Sequence, residues 1–116
     1  MATARNPFLG EWRILSSDVW DSKELDDFGS ARLIFEAQGA GELYFVAISA
    51  SVDYRVGSRD GSPLVEFSWA GDDDGAPISG RGWARLGGQG LVGRLFIHEG
   101  DEAEFSAQRA GRKARG

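Results

Sequence analysis

Apolar and polar residues alternate one by one along most of the chain, the two-fold period of half-buried strands and not the 3.6-residue period of helices. Eight such runs stand out, at about 11–16, 30–37, 42–49, 51–57, 63–70, 79–86, 91–98 and 102–109. In the fourth, Val52, Tyr54 and Val56 alternate with Asp53 and Arg55, which fixes the inward face. The same reasoning turns Val65, Phe67 and Trp69 inward against Glu66 and Ser68, and Leu33 and Phe35 inward against Arg32 and Glu36. Trp12 and Ile14, then Leu91, Leu95 and Ile97, then Ala103, Phe105 and Ala107 complete the expected core. The third run is apolar on both faces, so Leu43/Phe45 and Tyr44/Val46/Ile48 compete for the inside, and 42–56 also reads as one bent strand.

Turn chemistry separates the runs. Gln38-Gly39-Ala40-Gly41, Arg59-Asp60-Gly61-Ser62, Gly87-Gly88-Gln89-Gly90 and Glu99-Gly100-Asp101 supply the residues that hairpins need. Strands at spacings of roughly 8–12 residues with such turns belong to sandwiches and barrels. One segment departs from the pattern. In Asp18–Gly29, Asp21 or Ser22 can cap a short helical turn, Gly29 can end it, and Trp20, Leu25 and Phe28 give it an apolar side. Between the first two strands of a barrel, such a segment serves as a plug or a lid for one mouth.

Composition agrees with one all-β domain. The chain has 116 residues, 17 glycines against three prolines, and no cysteine, which removes disulfides, thiolate metal sites and cysteine nucleophiles. The first residues carry no apolar core of signal-peptide length, and no run approaches the roughly 20 apolar residues that span a bilayer. We therefore expect a cytoplasmic protein with no membrane partner. The net charge is -5 even though Arg112, Lys113 and Arg115 sit in the last residues. The acidic body offers no clustered cations to a phosphate backbone, so nucleic acid is not an expected partner. Residues 1–109 are read as the domain and 110–116 as a basic tail.

Inside the expected barrel, the inward positions of the last three runs are mostly small (Gly80, Gly82, Ala84, Gly93, Ala103, Ala107), and large aromatics face them from the second and fifth. Two outcomes follow equally well: complementary packing, or a cavity walled by Phe35, Tyr54, Phe67 and Trp69. Such a cavity would suit an apolar or aromatic molecule held by the Tyr54 hydroxyl or the Trp69 indole N–H. On the outside, the Gly87–Gly90 turn sets Trp83 opposite Arg94 and Arg81 opposite Phe96. A three-residue turn at Glu99–Asp101 would set Phe96 opposite Glu104 and His98 opposite Glu102. This lattice is either a self-satisfied surface or, through Trp83 and Phe96, a homodimer or protein-binding patch.

Catalytic motifs are weak. His98, the lone histidine, faces outward beside carboxylates and has no serine partner, and no set of residues has the spacing of a zinc site. Asp72-Asp73-Asp74-Gly75 begins like a calcium loop, but Trp83 stands where a bidentate Glu is needed. No cofactor is expected.

Gly10-Glu11-Trp12 opens the first strand and Arg109 closes the last, an arrangement that fits first and last strands meeting. The tripeptide resembles the Gly-x-Trp signature of the calycin superfamily of lipocalins, fatty-acid-binding proteins and avidins. The resemblance implies an eight-stranded up-and-down barrel over essentially the whole chain. It also implies that Trp12 packs across one end, that Arg109 lies over it, and that a binding cavity opens at the other end. Phe67-Ser68-Trp69, Gly80-Arg81-Gly82-Trp83, His98-x-Gly100-Asp101 and Phe105-x-Ala107-x-Arg109 are also similar to small uncharacterised bacterial proteins, a likeness that implies no activity. The expectation is an all-β, eight-stranded antiparallel barrel that binds a small apolar molecule without catalysis. The alternative is a packed barrel working through its outer face.

Overall fold

The alternating runs form a closed antiparallel barrel. The structure, a computed structural model, describes residues 6–27, 29–88 and 90–110. Its strands are β1 (Gly10–Ser17), β2 (Arg32–Phe35), β3 (Ala40–Phe45), β4 (Ile48–Arg59), β5 (Ser62–Asp73), β6 (Ala76–Gly87), β7 (Gly90–Ile97) and β8 (Glu102–Arg109). Each pairs with the next, and β8 returns to β1 with Arg109 directly opposite Trp12. Between β1 and β2 lies a single helical turn, α1 (Ser22–Leu25), and a 3-10 turn over Ala37–Gly39 joins β2 to β3. Phe28, Gln89 and the tail cations Arg112, Lys113 and Arg115 lie outside the described residues.

The hairpins explain the strand ends. Asp60-Gly61 and Asp74-Gly75 each hold two successive residues at positive φ, the backbone that matches the twist of two-residue hairpins. Asp72-Asp73-Asp74-Gly75 is therefore the tip of the β5–β6 hairpin, with the Asp72 Oδ1 accepting from the Gly75 amide at 2.7 Å. β3 and β4 are separate strands, joined at Val46-Ala47 with Val46 at φ 55°. That turn resolves the ambiguous face: Leu43 and Phe45 are buried inside, Tyr44 faces out, and Ile48 regains the interior after the turn.

The core contains every inward residue expected from β1, β2 and β8, together with Val52, Tyr54, Val65, Phe67, Trp69, Leu91 and Leu95. Val56 is a correction: its parity is right, but it is 39% exposed because the end of the β4–β5 hairpin carries it away from the core cluster. The outward register between β7 and β8 is also corrected. Ile97 donates to Asp101 across a four-residue loop, so Phe96 faces Glu102 and Arg94 faces Glu104. His98 lies instead 3.9 Å from Glu99 and is largely exposed.

Both mouths are closed by the chain itself. At one, residues 7–9 cross the barrel end, and Phe8 is completely buried with its ring edge-on to Phe35. At the other, α1 delivers Leu25 into the core, and Trp20 packs on Phe45 at 5.3 Å between ring centroids. The α1 turn is set by a capping box in which Asp21 accepts from the Glu24 amide and the Glu24 side chain accepts from the Asp21 amide. Its C-terminal end is tied to the barrel by the Val46 amide, which donates to the Leu25 carbonyl at 2.9 Å. No helix of the described residues is long and apolar enough to cross a membrane.

Candidate functional site

The residues proposed to wall an interior site fall into two aromatic clusters. Phe35 meets Tyr54 at 4.7 Å and Phe67 at 5.9 Å, with Phe8 behind it, whereas Trp69 sets its edge against Phe45 near the other mouth. The small inward residues lie directly under these rings. A Cβ on Gly82 would stand 2.5 Å from the Phe67 ring, one on Gly80 2.6 Å from Trp69, and one on Gly93 2.9 Å from Phe105. Large against small is therefore how this interior interdigitates.

The two polar handles expected in the interior have partners within the chain. The Tyr54 hydroxyl donates to the Glu36 carbonyl and accepts from the Asn6 side-chain Nδ2 at 2.9 Å. The Trp69 indole donates to the Arg81 carbonyl at 3.3 Å. Tyr54 apart, no titratable side chain is buried among the described residues, and no group of three or more His, Cys, Asp and Glu converges there as a metal site would require.

Trp12 and Arg109 meet at the first mouth. The Arg109 guanidinium lies 4.2 Å from the Trp12 ring centroid and donates to the Leu9 carbonyl at 2.5 Å and the Pro7 carbonyl at 2.8 Å. The Trp12 indole donates to the Phe8 carbonyl at 2.8 Å. One side chain from the last strand thus fixes the segment that seals the first mouth.

A concave site lies on the outside of the barrel, where β4, β5, β6 and β7 run side by side. Cross-strand register lines up two adjacent ranks of outward side chains. The first rank is Asp53, Ser68, Arg81 and Phe96; the second is Arg55, Glu66, Trp83 and Arg94. All but Arg94 line a groove of about 730 Å³ whose floor is strand backbone. Three strand spacings of about 4.8 Å make it roughly 14 Å across, and the ranks are about 7 Å apart along the strands. The sequence pairs Trp83/Arg94 and Arg81/Phe96 were legible from the Gly87–Gly90 turn; the groove itself was not.

The two ends of the groove differ in chemistry. On the β7 side, Arg94 is ion-paired, donating to Glu102 at 2.6 Å and Glu104 at 2.7 Å. Arg59 of β4 braces Trp83, its guanidinium 5.9 Å from the indole centroid. On the β4–β6 side, the side chains of Asp53, Arg55, Glu66, Ser68 and Arg81 make no hydrogen bond or ion pair with any other described residue. The groove offers two aromatic rings and, beside them, a field of free donors and acceptors with equal numbers of carboxylates and guanidiniums.

Tyr44 marks the opposite outer face, on β3. Its hydroxyl donates to Glu42 at 2.6 Å, and Arg32 lies 4.2 Å from its ring centroid. The hydrogen bond to Glu42 is the main cause that raises the Tyr44 pKa above 10.0; desolvation and the Glu42 charge act in the same direction.

Comparison with protein-family models, curated proteins and solved structures found no match for this chain.

Proposed function

We propose that this protein is a non-catalytic binding module that recognises a small molecule in the groove of its outer face, with Trp83 and Phe96 as the stacking surface. The observation that carries this reading is the juxtaposition in one groove of two aromatic rings with five hydrogen-bonding side chains that have no partner in the described chain. Binding sites combine a ring surface with a few convergent polar groups, and about 730 Å³ falls in the range of small-ligand sites.

In this reading the interior is scaffold. The competing interior site would place an apolar molecule among Phe35, Tyr54, Phe67 and Trp69, whose rings already contact one another or Phe45. We further read the barrel as calycin-like, on the strength of Gly10, Trp12 and Arg109.

Indole N–H resonances separate the sites. Phenol, indole and benzamide titrated into the labelled protein should move the Trp83 indole signal saturably and leave those of Trp12 and Trp69 in place. Movement of Trp69 with Trp83 static would transfer the site to the interior. Shifts that follow protein concentration, with a doubled sedimentation mass, would instead make this face a homodimer contact.

A further inference from the structure

We infer that the outer groove is built for a neutral carbohydrate, bound with the flat C–H face of a pyranose on Trp83 and Phe96 and its hydroxyls on Asp53, Glu66, Ser68 and Arg81. This rests on the groove being the binding site, and it adds the class of ligand.

Charge argues first. Asp53 and Glu66 balance Arg55 and Arg81 in the lining, so neither an anion nor a cation meets a matched field. A free carboxylate only accepts hydrogen bonds and a guanidinium only donates them. A sugar hydroxyl does both, so adjacent hydroxyls on a ring can satisfy alternating carboxylates and guanidiniums. The register supplies that alternation: Arg55 stands opposite Glu66, and Asp53 and Arg81 stand on either side of Ser68.

Shape argues second. The rings occupy the β6–β7 side and the polar groups the β4–β6 side, so the groove is amphiphilic across its width. A pyranose has the same division, with an apolar face of polarised C–H bonds and a polar rim. The electron-rich face of an indole attracts those C–H groups. A groove roughly 14 Å across accommodates two sugar rings.

The exposed apolar residues argue against a protein partner here. Leu9, Leu15, Val19, Val56 and Leu86 are the large exposed hydrophobics of the described chain, and none lines the groove. A protein interface concentrates apolar area at its centre. This groove has polar groups there and rings at one side.

The test is an NMR titration of the full chain with lactose, maltose, cellobiose and N,N′-diacetylchitobiose, with glucuronate and glucosamine as charged controls. At least one neutral disaccharide should shift the Ser68, Arg81 and Trp83 amides and the Trp83 indole saturably. Trp83→Ala should weaken that binding about ten-fold or more, and Glu66→Gln several-fold. Unchanged Trp12 and Trp69 indole signals in the variants confirm that the barrel is intact. Three results overturn the inference: no saturable shift with any neutral sugar, equal binding by Trp83→Ala, or tighter binding of glucuronate or glucosamine than of the neutral sugars. If sugars fail while phenol or indole still moves Trp83, the carbohydrate class falls and the groove stands. If none of these probes moves Trp83, both fall.

Discussion

The guanidinium of Arg109 passes through the space that a side chain on Gly10 would occupy. A Cβ built on Gly10 would stand 2.8 Å from the Arg109 Nη1, and Gly10 adopts φ +118°, a backbone that L side chains rarely take. The first and last strands therefore meet on a glycine for a steric reason. The cation needs that opening to reach both the Trp12 ring and the carbonyls of Pro7 and Leu9. Gly10→Ala should cost about 2 kcal/mol or more, combining backbone strain with displacement of the guanidinium. Arg109→Ala should cost about 1–3 kcal/mol, from one cation–π contact and two charged hydrogen bonds at an exposed position. Arg109→Lys should fall between wild type and Arg109→Ala, since an ammonium keeps the charge without the forked donors. Urea unfolding of the three variants decides, and a neutral Gly10→Ala would refute the steric account.

Glycines inside and outside the barrel should respond oppositely to the same methyl group. At Gly82, a Cβ meets the Phe67 ring at 2.5 Å and the Arg94 carbonyl at 2.8 Å, and the second obstacle is backbone that cannot move aside. At Gly57, on the exposed part of β4, a Cβ meets nothing within 4 Å. Gly82→Ala should destabilise by about 2–3 kcal/mol, as overpacking does. Gly57→Ala should be neutral or stabilise by up to about 1 kcal/mol by restricting the unfolded chain. A Gly82→Ala variant as stable as wild type would mean that this wall has room to spare.

What was readable in the sequence was set by local chemistry. The Asp-Gly and Gly-rich turns fix hairpin register, so the Trp83/Arg94 and Arg81/Phe96 pairs follow from the sequence alone. Where a turn used a residue without that signature, the reading failed. Val46 takes positive φ with no glycine to announce it, so the β3–β4 boundary, expected near residue 50, lies instead at Val46-Ala47. Glu99 does the same in the loop after β7, which moved the β7–β8 register by two residues and gave Arg94 both Glu102 and Glu104. Phe8 was missed for another reason. It lies before the first alternating run, and its complete burial depends on Arg109, a hundred residues away, pinning the segment around it. The groove likewise needed tertiary structure, because alternation says which residues face outward and not where the outer surface turns concave.

The Tyr44–Glu42 contact gives the chain a pH signature at the alkaline end. Losing its proton would replace a hydrogen bond to a carboxylate with two adjacent anions, so Tyr44 should titrate above 10.0. The folded-state pKa is raised, so this contact's contribution to stability is complete below pH 10 and is lost as pH rises through the folded-state value. Glu42→Gln should bring the titration back toward 10.0 by removing its largest cause. Carbon-13 NMR of the phenol ring, which distinguishes Tyr44 from Tyr54, reads both values. A Tyr44 midpoint at or below 10 in the wild type would exclude the charged hydrogen bond.

The plug at the second mouth should divide its stability between burial and capping. Leu25 is 2% exposed within the core cluster although α1 is a single turn, so its side chain, and not helix propensity, holds the segment in place. Leu25→Ala should cost about 2–5 kcal/mol, the range for a buried leucine whose cavity cannot fully collapse. Asp21→Ala should cost about 1 kcal/mol, the value of an N-cap, because Glu24 keeps its own bond to the backbone amide at residue 21. If the segment were instead a lid that opens freely, the protein would barely register either change, and amide exchange at Val46, which donates to the Leu25 carbonyl, would be fast. Slow exchange at Val46 in the wild type, accelerated in Leu25→Ala and little changed in Asp21→Ala, is the pattern expected of a plug.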